Sequence, residues 1–209
     1  MIGTPRATQA RTCLSTSAAT STGRSPSPGR QGARLSACSM GEHDGRSRLA
    51  ELRIGSGVDA HAFANGVPLV LGGVRFDHPR GLAGHSDGDV IAHALTDAVL
   101  GGAGLGDIGS LFPSGDETPA GVDSLELLAE AYRQVRAAGF ELVNADAILV
   151  GEEPRIMGRR EEMRERLAGA LGVEPARVNV RATTTDRLGF TGRGEGLAAQ
   201  AVALLRKSG

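Results

Sequence analysis

Chemically active side chains are concentrated in one stretch of the chain, residues 84–98, which reads GHSDGDVIAHALTDA. Asp89, His93 and Asp97 follow one another at intervals of four residues, which places them on one face of a helix. Apolar residues recur beside them with helical spacing, so the same helix has a second face that can be buried. A globular helix seldom lines the edge of a core with acid, imidazole and acid unless these groups meet a metal ion, a substrate or one another.

Each of these residues also has an ordinary structural interpretation. Ser86 and Asp89, three residues apart, are typical of a capping box, and acids in the first turn complement the helix dipole. A single histidine such as His93 is more often a hydrogen-bonded residue at the edge of a core than a metal ligand. The rest of the chain must decide between the two interpretations.

Composition limits the classes of function. The chain has 209 residues, enough for one domain with a core, and a net charge of −1. Residues 1–41 contain five Arg and no acid, so the remainder has a balance of −6, which argues against a nucleic-acid or anionic-membrane surface. No apolar run approaches the roughly 18 residues that span a bilayer. Both cysteines, Cys13 and Cys38, precede the folded part, so a metal there would need His and carboxylate ligands.

The first fifty residues differ from the rest. Residues 1–50 are rich in Ser, Thr, Ala, Gly and Arg and show no helical or strand period. Such a segment cannot bury enough apolar surface to offset its ordering entropy, so we expect a disordered extension followed by one domain at residues 51–209. It fits either a misplaced start codon upstream of Met40, in a cytoplasmic bacterial protein, or a transit peptide that directs the protein to a plastid.

Short strands and helices must position the reactive stretch. Residues 53–61 predict a short strand that ends with Asp59 and His61 on one face, and two β-prone runs around Gly72-Gly73 predict a hairpin. The later pattern predicts helices over 124–138 and 159–171, and strands over 142–150 and 176–184. The apolar residues of 197–205 fit the period of a helix as well as that of a strand, so this segment could form either. Because the order is not a regular βαβ series, the sequence favours an α+β (mixed α/β) domain.

Five motifs occur in order along the chain: Asp59-x-His61; Gly84-His85-Ser86-Asp87-Gly88-Asp89-x-x-x-His93; Gly106-Asp107-Ile108-Gly109-x-x-Phe112-Pro113; Ala182-Thr183-Thr184-Thr185; and GFTGRGEG over 189–196. Together they closely resemble the 2-C-methyl-D-erythritol 2,4-cyclodiphosphate synthase family over about residues 53–207. The resemblance implies a mixed four-stranded sheet packed on helices, which makes the last segment a strand. It also implies a homotrimer with active sites between neighbouring subunits.

The resemblance implies a lyase of the non-mevalonate pathway of isoprenoid (terpenoid) biosynthesis. The substrate would be 4-diphosphocytidyl-2-C-methyl-D-erythritol 2-phosphate, whose 2-phosphate attacks the β-phosphorus of its own diphosphate. The cyclic diphosphate forms and CMP leaves. Such phosphoryl transfer relies on positioning and on cations that offset the repulsion between two phosphate groups.

By the same resemblance, one zinc ion or another divalent ion would be held by three ligands: Asp59, His61 and His93. These would leave one coordination position for a substrate phosphate. His85 and Thr184 are expected to be the catalytic residues that hold the phosphates. A second ion, Mg²⁺ or Mn²⁺, would bridge the diphosphate. Asp186 stands where the family usually has a Glu, and it could reach this ion through a water molecule.

The substrate pocket is expected to have several parts. Ser86 would donate a hydroxyl hydrogen bond. The methylerythritol pocket would be formed by Asp107, Ile108, Gly109, Phe112, Pro113, Ser114, Gly115 and Asp116. The cytidine pocket would be formed by Gly151, Glu152, Glu153, Pro154, Arg155, Ile156, Met157, Ala182 and Thr183; Arg155 stands where a Lys is common. Phe190 and Arg193 match residues of the family's central cavity, where they would either bind an isoprenoid diphosphate or only close the trimer axis.

Two other functions fit the same residues. One is a zinc phosphohydrolase that activates water. The other is a non-catalytic trimeric module that binds a nucleotide or an isoprenoid diphosphate, and only the change to Asp186 favours it. From helical spacing alone, we also expect Asp89 and Asp97 to orient the ligand histidines.

Overall fold

The computed structural model describes residues 52–113 and 121–208. The predicted extension at 1–50 and the predicted pocket residues Ser114, Gly115 and Asp116 lie outside these ranges. The strands are β1 (Leu52–Asn65), β2 (Leu69–Leu71), β3 (Val74–Phe76), β4 (Arg80–Leu82), β5 (Phe140–Val150), β6 (Val178–Thr183) and β7 (Gly196–Lys207). The helices are α1 (Val90–Ala103), α2 (Ile108–Leu111), α3 (Ser124–Ala137), α4 (Arg160–Leu171) and α5 (Gly189–Gly192).

The main sheet has the strand order β4-β1-β7-β5-β6. Strand β7 pairs antiparallel with β1 and β5, whereas β5 pairs parallel with β6, so the sheet is mixed. Its four long strands confirm the predicted mixed sheet, and the short β4 extends one edge. Strands β2 and β3 form the predicted hairpin. The α+β fold class is therefore confirmed, and the ambiguous last segment is a strand.

The helices cover one face of this sheet. A row of residues that runs across the four long strands is buried beneath them: Gly57, Ala201, Ala147 and Val180. The next row points to the opposite face and is half-buried or exposed: Val58, Gln200, Ile148 and Arg181. Val58 is 66% exposed there and Ile54 is 74% exposed. The described part of one chain thus leaves the second face of the sheet largely open.

Helix α1 lies directly on β1 because two glycines leave no side chain between them. A Cβ atom on Gly55 would collide with the carbonyl oxygen of Ala98, and one on Gly57 would collide with that of Ala94. Gly55 and Gly57 are extended strand residues, so glycine is needed here for space and not for a left-handed backbone. This close approach brings His93 of α1 beside the side chains on the same face of β1.

A buried carboxylate fixes the start of α1. Asp89 caps the helix by accepting two N–H groups of its first turn at 3.1 and 3.2 Å. It also accepts the N–H groups of Gly72 and Gly73 in the β2–β3 hairpin at 2.9 and 2.6 Å. Both glycines have positive φ, as a type I′ hairpin turn requires. The predicted capping box of Ser86 and Asp89 is therefore wrong, because Asp89 is itself the cap.

Two predicted boundaries are also wrong. Strand β1 does not end at His61 but continues to Asn65, because its pairing with β7 is followed by pairing with β4. Strand β6 begins at Val178, after a 3₁₀ turn at Pro175–Arg177. None of the helices in residues 52–113 and 121–208 is long and apolar enough to cross a membrane.

We predict that Gly57→Ala lowers the free energy of unfolding by about 3 kcal/mol, because the methyl group forces α1 away from β1. Urea denaturation at a fixed protein concentration measures the change. Gly169→Ala is the control: nothing lies within 4 Å of a Cβ there, and alanine suits this exposed helical position better by about 0.5–1 kcal/mol. Equal stability of the two variants would contradict the steric role of Gly57.

Candidate metal and substrate site

Three potential metal ligands converge where β1 meets α1. Oδ2 of Asp59 lies 2.7 Å from Nε2 of His61 and 2.9 Å from Nδ1 of His93. The two ring nitrogens are 3.2 Å apart. Among the residues that the structure describes, this is the one group of three or more His, Cys, Asp or Glu side chains arranged to hold an ion. The structure thus brings together the three predicted zinc ligands.

Each histidine ring also makes a hydrogen bond through its other nitrogen, and these bonds orient His61 Nε2 and His93 Nδ1 towards Asp59. Nδ1 of His61 lies 2.6 Å from the carbonyl oxygen of Ala83 and must donate to it, which leaves Nε2 as the ligand atom. The hydroxyl groups of Ser86 and Ser124 each lie 2.9 Å from Nε2 of His93.

Ser124 connects His93 to a second carboxylate. The Ser124 hydroxyl donates a hydrogen bond to Oδ1 of Asp87, so its oxygen is left to accept the Nε2 proton of His93. In the neutral ring, this leaves Nδ1 of His93 unprotonated and facing Asp59. The sequence did not single out Ser124, because it lies 31 residues beyond His93 and reads as the first residue of a helix.

The three ligand atoms fit a divalent cation. Because Nδ1 of His61 and Nε2 of His93 both act as donors, the converging atoms of neutral histidines are lone-pair acceptors that repel one another unless a proton or metal ion lies between them. Their separations of 2.7–3.2 Å are close to the roughly 3.4 Å edge of a tetrahedron with zinc–ligand bonds of about 2.0–2.1 Å.

The same contacts shift the ionisation of these groups. Burial raises the pKa of Asp59, but with protons on the facing nitrogens of His61 and His93 in place of a metal ion, the hydrogen bonds from these rings outweigh burial and hold that pKa well below its usual range. The hydrogen bond with the Asp59 carboxylate raises the pKa of His61. Asp59 is therefore ionised at neutral pH and supplies the negative charge that a metal site needs.

A pocket of about 240 Å³ opens beside the three ligands. Its other lining residues include several that were predicted for phosphate and methylerythritol binding: His85, Ser86, Ile108, Gly109 and Phe112. Val122 and Leu127 complete the lining with apolar surface, and the sequence did not predict them. Asp107 and Pro113 are not among the lining residues; Asp107 caps α2 by accepting the Ser110 N–H at 2.7 Å.

The predicted role of Asp89 and Asp97 in orienting the histidines is wrong. Asp97 accepts the N–H of Ile108 at 2.7 Å, and Asp89 binds the hairpin and the helix start. Burial raises the pKa of Asp97, and the Ile108 N–H opposes that rise. Asp97 therefore positions the loop that forms one wall of the pocket, whereas Ser124 and Ala83 orient the histidines.

A second pocket of about 450 Å³ contains most of the residues predicted for cytidine. Those among its lining residues are Gly151, Glu152, Pro154, Arg155, Ile156, Met157, Ala182 and Thr183. Thr184 lines this pocket too, together with Arg160 and Arg181. The two predicted catalytic residues, His85 and Thr184, therefore belong to different pockets of one chain.

The sheet sets the distance between the two pockets. Asp59, Ala199, Leu149 and Ala182 are paired neighbours in one row across β1, β7, β5 and β6. Three strand spacings therefore separate Asp59 from Ala182, which is about 14 Å.

A family model for the YgbB family matches residues 52–206. This chain belongs to the YgbB family. A 2-C-methyl-D-erythritol 2,4-cyclodiphosphate synthase from Rubrobacter xylanophilus is 60% identical over 159 residues, which are 75% of this chain and 96% of the relative.

Solved structures share the fold of this chain. The bifunctional IspDF from Campylobacter jejuni matches with a TM-score of 0.73 and 45% identity, over 75% of this chain and 42% of that longer chain. A CDP complex of IspF from Plasmodium falciparum matches with a TM-score of 0.67 and 28% identity, over 76% of this chain and 97% of that one.

The remaining predicted residues of this YgbB-family chain lie outside both pocket linings. The carboxylate of Glu153 is 3.6 Å from His78 and from Arg80. Phe190 is 41% exposed, and the Arg193 guanidinium is paired with Glu195 at 2.7 Å. The hydroxyl of Thr184 lies 3.4 Å from the carboxylate of the exposed Asp186.

We predict that Ser124→Ala weakens zinc binding by about 10–100-fold, because His93 loses the acceptor that fixes its ligating tautomer. Competition with a chromophoric chelator measures the affinity. Ser208→Ala, at an exposed position near the C-terminus, is the matched control and should bind zinc as the parent does. Unchanged affinity in a folded Ser124→Ala protein would contradict the role of Ser124.

Proposed function

We propose that this protein is a 2-C-methyl-D-erythritol 2,4-cyclodiphosphate synthase. It would convert 4-diphosphocytidyl-2-C-methyl-D-erythritol 2-phosphate into the cyclic diphosphate and CMP in non-mevalonate isoprenoid biosynthesis. The observation that carries the proposal is the convergence of Asp59, His61 and His93 beside a pocket, in a chain 60% identical to a protein of that name. The bacterial origin of that relative supports a cytoplasmic location.

The proposed reaction is an internal phosphoryl transfer. An oxygen of the 2-phosphate forms a bond to the β-phosphorus, and the bond from that phosphorus to the bridging oxygen breaks. The bridging oxygen leaves with its electron pair on CMP, and no water is consumed. The protein's task is to hold two anionic groups in line and to offset their charge.

The first pocket is suited to the phosphate end of the substrate. Asp59, His61 and His93 would hold a zinc ion, which when bound supplies a Lewis acid for a phosphate oxygen. Ser86 and His85 line the same pocket and would bind the remaining phosphate oxygens. Ile108 and the neighbouring apolar side chains would pack against the methylerythritol carbons.

The second pocket is suited to the nucleotide. Arg155 and Arg160 supply positive charge to this pocket, which is also lined by Ala182 and Thr183 at the end of β6. The hydroxyl of Thr184 would donate to the diphosphate. Asp186, beside it, would hold a Mg²⁺ or Mn²⁺ ion directly or through water, and that ion would supply positive charge to offset the charge of the diphosphate. The CDP bound by the Plasmodium relative supports a cytidine nucleotide here.

A homotrimer would unite the two pockets. Within one chain the sheet separates Asp59 from Ala182 by about 14 Å, and His85 and Thr184 line different pockets. The open face of the sheet carries exposed apolar side chains, Ile54, Val58 and Val202 among them, which a second copy could bury. We therefore propose that the metal pocket of one subunit faces the nucleotide pocket of its neighbour.

Phosphorus NMR tests the proposed function. The purified protein, with zinc and magnesium, should convert the diphosphocytidyl substrate into CMP and a cyclic diphosphate. His61→Ala should lose both the bound zinc and the turnover. Open-chain phosphates with nucleotide release would indicate a phosphohydrolase instead, and bound substrate without change would indicate a binding module.

Mixed trimers test the shared site. We predict that His61→Ala and Thr184→Ala are each inactive alone, and that co-expressed chains recover about a quarter of parental activity, because random cyclic assembly pairs two intact halves in that fraction of sites. A mixture of separately purified trimers that do not exchange subunits is the control and should stay inactive. Inactive co-expressed trimers that contain both variants would contradict a site shared between chains.

A further inference from the structure

Thr184, a predicted catalytic residue, and Asp186, a predicted metal ligand, lie just before and within a tight turn whose backbone is strained. Residues 185–188 form the turn, closed by the Leu188 N–H donating to the Thr185 carbonyl at 2.9 Å. Both central residues have positive φ, 50° at Asp186 and 66° at Arg187. This pattern is that of a type I′ turn, which favours Asn-Gly, and an arginine in the second position is strained.

The Glu152 side chain, in the segment that follows β5, stabilises this strained turn through hydrogen bonds. A single carboxylate oxygen of Glu152 accepts the N–H groups of Thr185 at 3.3 Å and Arg187 at 3.1 Å. The backbone N–H of Gly151 donates to the Thr183 carbonyl at 3.0 Å just before it. The Glu152 carboxylate therefore continues, with a side chain, the hydrogen bonding that joins the ends of β5 and β6.

The other side of the turn is packed against α5. A Cβ on Gly192 would collide with the backbone of Arg187, so the two backbones are in close contact. The Thr185 hydroxyl lies 2.7 Å from the Leu188 carbonyl oxygen, to which it donates, and 3.0 Å from the Thr191 hydroxyl. The turn is thus held between α5 and Glu152, and Glu152 supplies the charged contact.

We propose that Glu152 is a positioning residue for the proposed reaction. It binds the turn and not the nucleotide, and it holds the Thr184 hydroxyl and the Asp186 carboxylate where they meet the diphosphate. The inference rests on the proposed function of Thr184 and Asp186. It differs from the sequence-based expectation that Glu152 contacts cytidine, because its carboxylate faces the backbone of 185–187.

Three variants of the full chain test the inference. Glu152→Ala should lower kcat about tenfold to a hundredfold while KM changes less than about threefold, because misplaced reacting groups slow the chemical step more than binding. Glu152→Gln retains an acceptor oxygen and should stay within about threefold of the parent. Glu152→Ala combined with Arg187→Gly should recover part of the lost kcat, because glycine adopts positive φ without strain.

Amide hydrogen exchange gives a readout that does not depend on activity. The amides of Thr185 and Arg187 should exchange at least tenfold faster in Glu152→Ala than in the parent and in Glu152→Gln. Glu165→Ala, an exposed position on α4, is the matched control and should change neither exchange nor kcat. Unchanged exchange in Glu152→Ala would overturn the inference, as would a rise in KM alone, which indicates direct nucleotide binding. A parent protein that makes no cyclic product would instead overturn the proposed function.

Discussion

The contact between α1 and β1 is the constraint on which the rest of the structure depends. A metal site assembled from a strand and a helix needs their backbones closer than ordinary side chains permit, and Gly55 and Gly57 provide that approach. The position of Asp59 and His61 then follows. Residues two apart on β1 share a face, so these two side chains lie on the same face as the two glycines, next to α1. Helix α1 supplies His93 one turn after its capped start.

Polar contacts at the helix start hold this arrangement in place. Asp89 joins the first turn of α1 to the β2–β3 hairpin, so the helix cannot slide along β1 without losing buried hydrogen bonds. Asp87 and Ser124 join the same turn to α3 and orient His93. The acids that follow His85 in the motif are therefore mainly structural, and they act on the site through the backbone and through Ser124.

The sequence and its family resemblance predicted the candidate metal ligands and most elements, but not the contacts that orient the ligands. Asp59, His61 and His93 stand in motifs with fixed spacing, whereas Ser124 becomes their neighbour only when α3 packs on α1. Helical spacing predicted that Asp97 faces the histidines, but its carboxylate instead accepts the N–H of Ile108, at the start of α2. The sequence of strand β7 was ambiguous because its small and branched apolar residues fit the period of a helix as well as that of a strand.

The row of paired residues that runs across four strands from Asp59 to Ala182 limits how the distance between the two pockets can change. Its length is determined by interstrand hydrogen bonds, which are among the stiffest elements of a protein, and not by loops that can open and close. Movement of loops would not shorten this row, so in the function that we propose the substrate would not be compressed by a hinge inside the protomer. In the homotrimer that we propose, any adjustment of the distance between the reacting phosphates would come from the way two chains meet, which would make subunit packing a determinant of rate.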